Sequence, residues 1–284
     1  MSRKEKLRSL CENVSVVLAE MKPVIDSSAK LAWQPSAGIR HVIFRAMLIR
    51  QYECLESIVH LVENDRGYAD VSLLRPACEE LIWAKYLTKL DDGDANELLL
   101  CLLKKEVFDT LKAQDDYKGR TWTKELGLLP HLDGATEAQP VTRRKLRSLG
   151  RKLGWDKRTV DAGMPPSTQF LARKTEMASL YNFLFHASSR YVHFSPSELL
   201  RRAWGKPEEI TIRSANFADY WSPFALAWGL KLLSNTYIIL HESLVADGVV
   251  NPQIDETNIL LAYKEVAEFG FVGIITPEEL HWPW

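Results

Sequence analysis

Apolar residues recur at spacings of three and four along almost the whole chain, and alternating β-branched runs are scarce. That period belongs to helices buried along one face. It predicts an all-α fold, a multi-helix bundle of about eight helices, over residues 3–21, 38–63, 69–90, 94–114, 141–153, 168–194, 217–246 and 256–269. Punctuation supports the limits: Asp91-Asp92-Gly93-Asp94 closes one helix and offers an N-cap to the next, and Met164-Pro165-Pro166-Ser167 leads into another. Pro76 falls inside an expected helix, so it must sit in a first turn or kink the chain. Residues 115–140 mix glycine, proline and polar side chains, which predicts a loop-rich insertion suited to an interface. Ile210-Thr211-Ile212 is apolar and β-branched enough for a short strand.

With 284 residues the chain can bury a large core. The expectation is one helical domain, with a core over 38–246, an N-terminal helical extension over 1–37 and a C-terminal helix and tail over 247–284. A net charge of −1 gives no overall pull toward nucleic acid or anionic membrane, so any basic site must be local. No run of about 18 uncharged apolar residues could span a bilayer, and the basic start lacks the apolar run of an export signal, which places the chain in the cytoplasm. Cys11, Cys54, Cys78 and Cys101 are far apart and read as reduced thiols. Neither a metal nor any other cofactor is expected.

The segment LYNFLFHASSRYVHFSP, residues 180–196, is strongly apolar, yet it carries two histidines, an arginine and an asparagine. At about 100° per residue, Asn182, His186, Ser189 and His193 share one narrow stripe, and Arg190 stands at its margin. A helix apolar nearly all round except for one line should lie deep, with the line facing a polar network or a cavity. Arg75, Glu79 and Glu80 in LLRPACEELIWAKYL are the expected partners. A carboxylate on a histidine would fix its tautomer, and an arginine would hold a phosphate or carboxylate. Two readings follow: a satisfied structural network, or a site in which histidine and arginine work on a phosphodiester.

Residues 143–158, RRKLRSLGRKLGWDKR, hold eight basic residues against one acid. Leu146, Leu149 and Leu153 mark the inner face of that helix, leaving Arg143, Arg144, Arg147 and Arg151 for a nucleic-acid backbone, or the basic groups for nearby acids such as Asp91 to Asp94. Tyr220, Trp221, Phe224, Trp228 and Tyr237 recur at helical spacing and read as core. The phosphate-loop, dinucleotide, hydrolase-elbow and zinc-protease signatures are absent from the sequence.

Together, LLRPACEELIWAKYL (73–87) and SLYNFLFHASSRYVHFSP (179–196) resemble a widespread bacterial family of all-helical proteins, a domain of unknown function. Its members pair an R-x-x-x-E helix with a later Y-x-x-x-S-x-x-x-H-like helix. Arg75 and Glu79 match the first motif, and Tyr181, Ser189 and His193 fall in the second. The resemblance covers residues 38–246 and implies an all-α fold.

The chain also resembles, more distantly, the HEPN superfamily, helical proteins that often dimerise and cleave RNA without a metal through an R-x4-6-H motif. Here two residues separate Arg190 from His193, so the resemblance implies a composite site that also uses Arg75. The expectation is a metal-independent endoribonuclease of a prokaryotic toxin or antiviral defence system. Arg75, Glu79, His186, Arg190 and His193 would do the chemistry. Tyr181, Asn182, Ser189 and the arginines at 143, 144, 147 and 151 would hold RNA. The alternatives are a non-catalytic helical module that binds a protein partner, and a small-ligand sensor.

Overall fold

The computed structural model describes residues 3–31, 38–64, 66–193, 195–206, 208–213, 216–249 and 274–275. Among these the chain is helical almost throughout, as the spacing predicts. The helices are α1 (Arg3–Ser28), α2 (Arg40–Glu63), α3 (Gly67–Asp70), α4 (Leu74–Leu87), α5 (Asp92–Lys118), α6 (Arg120–Glu125), α7 (Leu129–Lys152), α8 (Lys157–Ala162), α9 (Thr168–Lys174), α10 (Ala178–Val192), α11 (Pro196–Arg201) and α12 (Ala218–Ala246). A 3-10 turn, Val71–Leu73, joins α3 to α4. A two-stranded antiparallel hairpin pairs β1 (Ala203–Lys206) with β2 (Glu209–Ile212), so the isoleucine pair at 210 and 212 does form a strand. The expected helix over 256–269 lies outside the described residues.

Two compact units emerge: residues 1–32, 41–88 and 172–284 form one, and residues 33–40 and 89–171 the other. In the first unit α12 is the central element. Trp221, Ala225, Leu226, Leu230, Leu233 and Leu240 along it are fully buried, and it packs on α1, α3 and α4. Of the aromatic residues read as core, Trp221, Phe224 and Tyr237 are buried and Tyr220 and Trp228 are half-buried, with Trp221 edge-on to Phe224 at 5.3 Å between ring centres. Gly229 lets α2 come close: a Cβ there would stand 2.9 Å from Cδ1 of Ile58 and 3.0 Å from Cδ1 of Leu55. From α1, Leu10, Val14, Val17, Met21 and Val24 enter this core.

Helix α4 begins with Leu74, so Pro76 is its third residue and occupies the first turn, where its missing N–H costs no helical bond. Helix α10 rests on α4 and on the 3-10 turn before it. The single helix expected over 168–194 is instead two, because Glu176 takes a left-handed backbone (φ 61°) and Met177 a non-helical one.

In the second unit α5 packs along α7, and α7 on α8. The loop expected over 115–140 is helical: α5 runs on to Lys118, α6 follows Gly119, and α7 starts at Leu129. Composition misleads here for identifiable reasons. Gly119, at φ 88°, makes one tight reversal. Pro130 lies in the first turn of α7, where proline is favoured. Pro140 lies inside α7 but is exposed, so water can reach the carbonyl its ring leaves unbonded. Leu132, Thr142, Leu146 and Leu149 supply the buried side of that helix.

Candidate active site

The Arg75 side chain leaves the first turn of α4 and is held on three sides. Its Nε donates to Glu79 Oε1 at 3.2 Å, one turn along the same helix. Its Nη1 donates to Ser189 Oγ at 3.2 Å and stands 2.8 Å from Nε2 of His193. The guanidinium carbon also lies 4.9 Å from the centre of the Phe185 ring, a cation–π contact. A guanidinium only donates, so the bond to His193 requires Nε2 as acceptor and the ring hydrogen on Nδ1. Nη2 of Arg75 has no hydrogen-bond partner among the described residues.

Helix α10 presents Tyr181, Phe185, Ser189 and His193 to α4, residues spaced by four. Four residues overshoot a full turn by about 40°, so this line drifts around the helix. It runs about 50° away from the stripe of Asn182, His186, Ser189 and His193 and shares its C-terminal half alone. Asn182 and His186 are accordingly exposed, not turned into a network. The expectation of a deeply buried helix fails with them: Leu184, Ala187 and Ser188 are the buried positions of α10, and Ser188 satisfies its hydroxyl on the Leu184 carbonyl. No hydrogen bond among the described residues links Arg190 to Arg75, Glu79 or His193. The arginine beside His193 is therefore Arg75, from another helix.

His193 is the C-cap of α10, extended at φ −109° and ψ 160°, with its N–H on the Ser189 carbonyl. Its side chain is exposed. Together with Ser72, Arg75, Pro76, Glu79, Tyr191 and Val192 it lines an open cleft of about 600 Å³. Periodicity did not single out Ser72, Tyr191 or Phe185; the ladder of fours from Tyr181 through Phe185 was the signal for the last. Tyr181 stands deeper: burial pushes its hydroxyl pKa up, Glu79 adds to the rise and Arg75 opposes it. Glu80 turns to the other side of α4, where it is buried, pairs with Arg50 and accepts from Gln51 Nε2 at 3.3 Å.

The basic helix divides its charges. Lys152 bonds Asp94 at 2.6 Å and lies 3.5 Å from Asp91, and Lys145 meets Glu97 at 3.2 Å, so these lysines answer the acids at the start of α5. Arg147 donates to the Asp161 carbonyl at 3.3 Å. Arg143, Arg144 and Arg151 are exposed. They belong to the second unit, whereas the Arg75 cleft belongs to the first. Among the described residues no group of three metal-ligating side chains forms, all four cysteines are free, and no helix is long and apolar enough to cross a membrane.

An all-helical chain whose composite cleft joins an R-x-x-x-E helix to a Tyr/Ser/His helix is the class this geometry defines. Residues 41–210 match the family of unknown function DUF5677, and the chain belongs to that family. Neither the curated proteins nor the solved structures give a match.

Proposed function

We propose that the chain is a metal-independent endoribonuclease of the HEPN-like kind, serving a prokaryotic toxin or antiviral defence system, and that the Arg75–His193 cleft is its active site. The observation that carries this reading is Nε2 of His193, held 2.8 Å from a guanidinium in a cleft open to solvent. A base and an anion-binding group in contact are the two parts that RNA transesterification needs.

A phosphodiester entering the cleft would meet the free Nη2 of Arg75, and the bond to Nε2 of His193 would give way to the 2′-hydroxyl. His193 takes that proton as the 2′-oxygen bonds to phosphorus, and the bond from phosphorus to the 5′-oxygen breaks. The products are a 2′,3′-cyclic phosphate and a 5′-hydroxyl, whose proton comes from water. Arg75 offsets the charge on the non-bridging oxygens, Glu79 and Ser189 fix its plane, Phe185 packs against the guanidinium, and Tyr191 and Val192 wall the site. General-base assistance of this type contributes about 10²–10⁴ in rate.

The test is incubation of the purified protein with mixed-sequence RNA, reading the ends that form. Cyclic phosphate ends that disappear with His193→Ala support the reading. Intact RNA across all sequences and salt conditions, or cleavage unaffected by His193→Ala, overturns it.

A further inference from the structure

A second cleft, of about 310 Å³, adjoins the first and is lined by Arg50, Glu53, Cys54, Ser57, Leu73, Pro76, Ala77 and Glu80. Pro76 belongs to both. On α4, Arg75 and Glu79 lie on one flank, Ala77 and Glu80 on the other, and Pro76 between them, by the rotation of about 100° per residue. Proline ends in a short ring and is exposed here, so the ridge between the clefts is low. The far wall is α2, which turns Arg50, Glu53, Cys54 and Ser57 toward α4 at helical spacing.

The two clefts differ in chemistry. The first offers a guanidinium with a free edge and a histidine, which suit a phosphate. The second has a floor of Cys54, Leu73, Pro76 and Ala77, which suits a flat apolar ring. Its rim is unsuited to a phosphate: Arg50 is already committed to Glu80, and Glu53 is exposed with no partner among the described residues. A carboxylate in that position repels phosphate and accepts a hydrogen bond from an exocyclic amine, the pairing by which Glu recognises the N4 amine of cytosine. Ser57, also on the rim and exposed, can bond a ring nitrogen or carbonyl.

We propose that the cleft between α2 and α4 is a nucleobase subsite that favours bases bearing an exocyclic amine, with Glu53 as the selecting residue. The nucleotide it holds is the one next to the phosphate at Arg75. This proposal rests on reading the Arg75 cleft as a phosphodiester site.

Binding is measured by fluorescence anisotropy with labelled 2′-O-methyl hexamers of cytidylate and of uridylate. These resist cleavage, match in size and differ in the base edge. The wild-type protein should bind the cytidylate hexamer about tenfold more tightly. Glu53→Ala should bring the two within about twofold, and Ser57→Trp, which fills the cleft from its exposed rim, should weaken both; unchanged thermal midpoints confirm that each variant is folded. No preference in the wild type, a preference that survives Glu53→Ala, wild-type binding by Ser57→Trp, or no binding of either hexamer each overturns the proposal. Cleavage of unmodified RNA by the same preparations judges the Arg75 reading separately: binding with the expected preference but without cleavage sinks that reading and leaves the subsite.

Discussion

Arg75 and His193 are 118 positions apart in the chain, and Nη1 of one lies 2.8 Å from Nε2 of the other. The contact exists because α10 crosses the first turn of α4 with its C-terminal end, where Ser189 and the C-cap His193 project. Glu79 supports it from within α4, although an arginine one turn before a glutamate is the weaker order for such a helical pair. Glu79 therefore acts chiefly by fixing the plane of the guanidinium.

A lysine at position 75 keeps the charge but not the fork. It cannot bond Glu79, Ser189 and His193 together while offering a free edge to a phosphate. Arg75→Lys should lower kcat/KM on RNA by about 10²-fold, a loss of roughly 3 kcal/mol in transition-state stabilisation. Activity within threefold of wild type would show that the fork is not used.

Asp70 carries a stability signature that depends on pH. It is fully buried, and neither carboxyl oxygen has a partner among the described residues; burial pushes its pKa up to about 8. The folded protein thus holds a proton that the unfolded chain releases at the ordinary carboxylate value. For a raised pKa the stability is full below the unfolded value, declines as pH rises toward about 8, and is lowest above it. Asp70→Asn cannot ionise, so it should gain stability over wild type between pH 5 and pH 9, on the order of 3 kcal/mol. Urea midpoints at those two pH values check this; parallel curves for the two proteins would contradict it.

Gly229 sets how closely α2 approaches α12. The methyl of Gly229→Ala would meet Ile58 and Leu55, both fully buried. Overpacking of that kind costs about 1–3 kcal/mol even after alanine's better helix propensity is counted. Denaturant unfolding should show the loss, and a neutral or stabilising result would mean that the leucine and isoleucine ends have room to turn.

What the sequence made legible follows from how local each cause is. Helices with one buried side, such as α2, declare themselves by spacing, and the N-cap at Asp91 is visible in the run DDGD and is realised by its bond to the Asp94 N–H at 2.7 Å. The salt links from Lys152 to Asp91 and Asp94 were likewise readable from charge. Residues 115–140 were not, because glycine and proline count against helices in general, yet Gly119 and Pro130 are harmless at the reversal and first turn where they stand and Pro140 is exposed to water. The break at Glu176 carries no sequence mark at all, since a left-handed glutamate is set by surrounding packing.

The site was half legible. Arg75, Glu79, Ser189 and His193 come together in the structure, and the paired motifs named all four. His186 and Asn182 were drawn in by a periodicity argument that treated the stripe as straight, whereas the contact line between α10 and α4 advances by fours and leaves them outside. Which side of a helix meets its neighbour depends on the crossing of the two helices, and no single helix records that.

The most direct measurement is the paired stability and RNA cleavage of His193→Ala. The side chain is exposed at the end of α10, so a site residue should leave unfolding free energy within about 1 kcal/mol of wild type while cleavage falls at least about 10²-fold. Unchanged cleavage, or a loss of several kcal/mol in stability, would contradict the account and mark Arg75 and His193 as a structural tie.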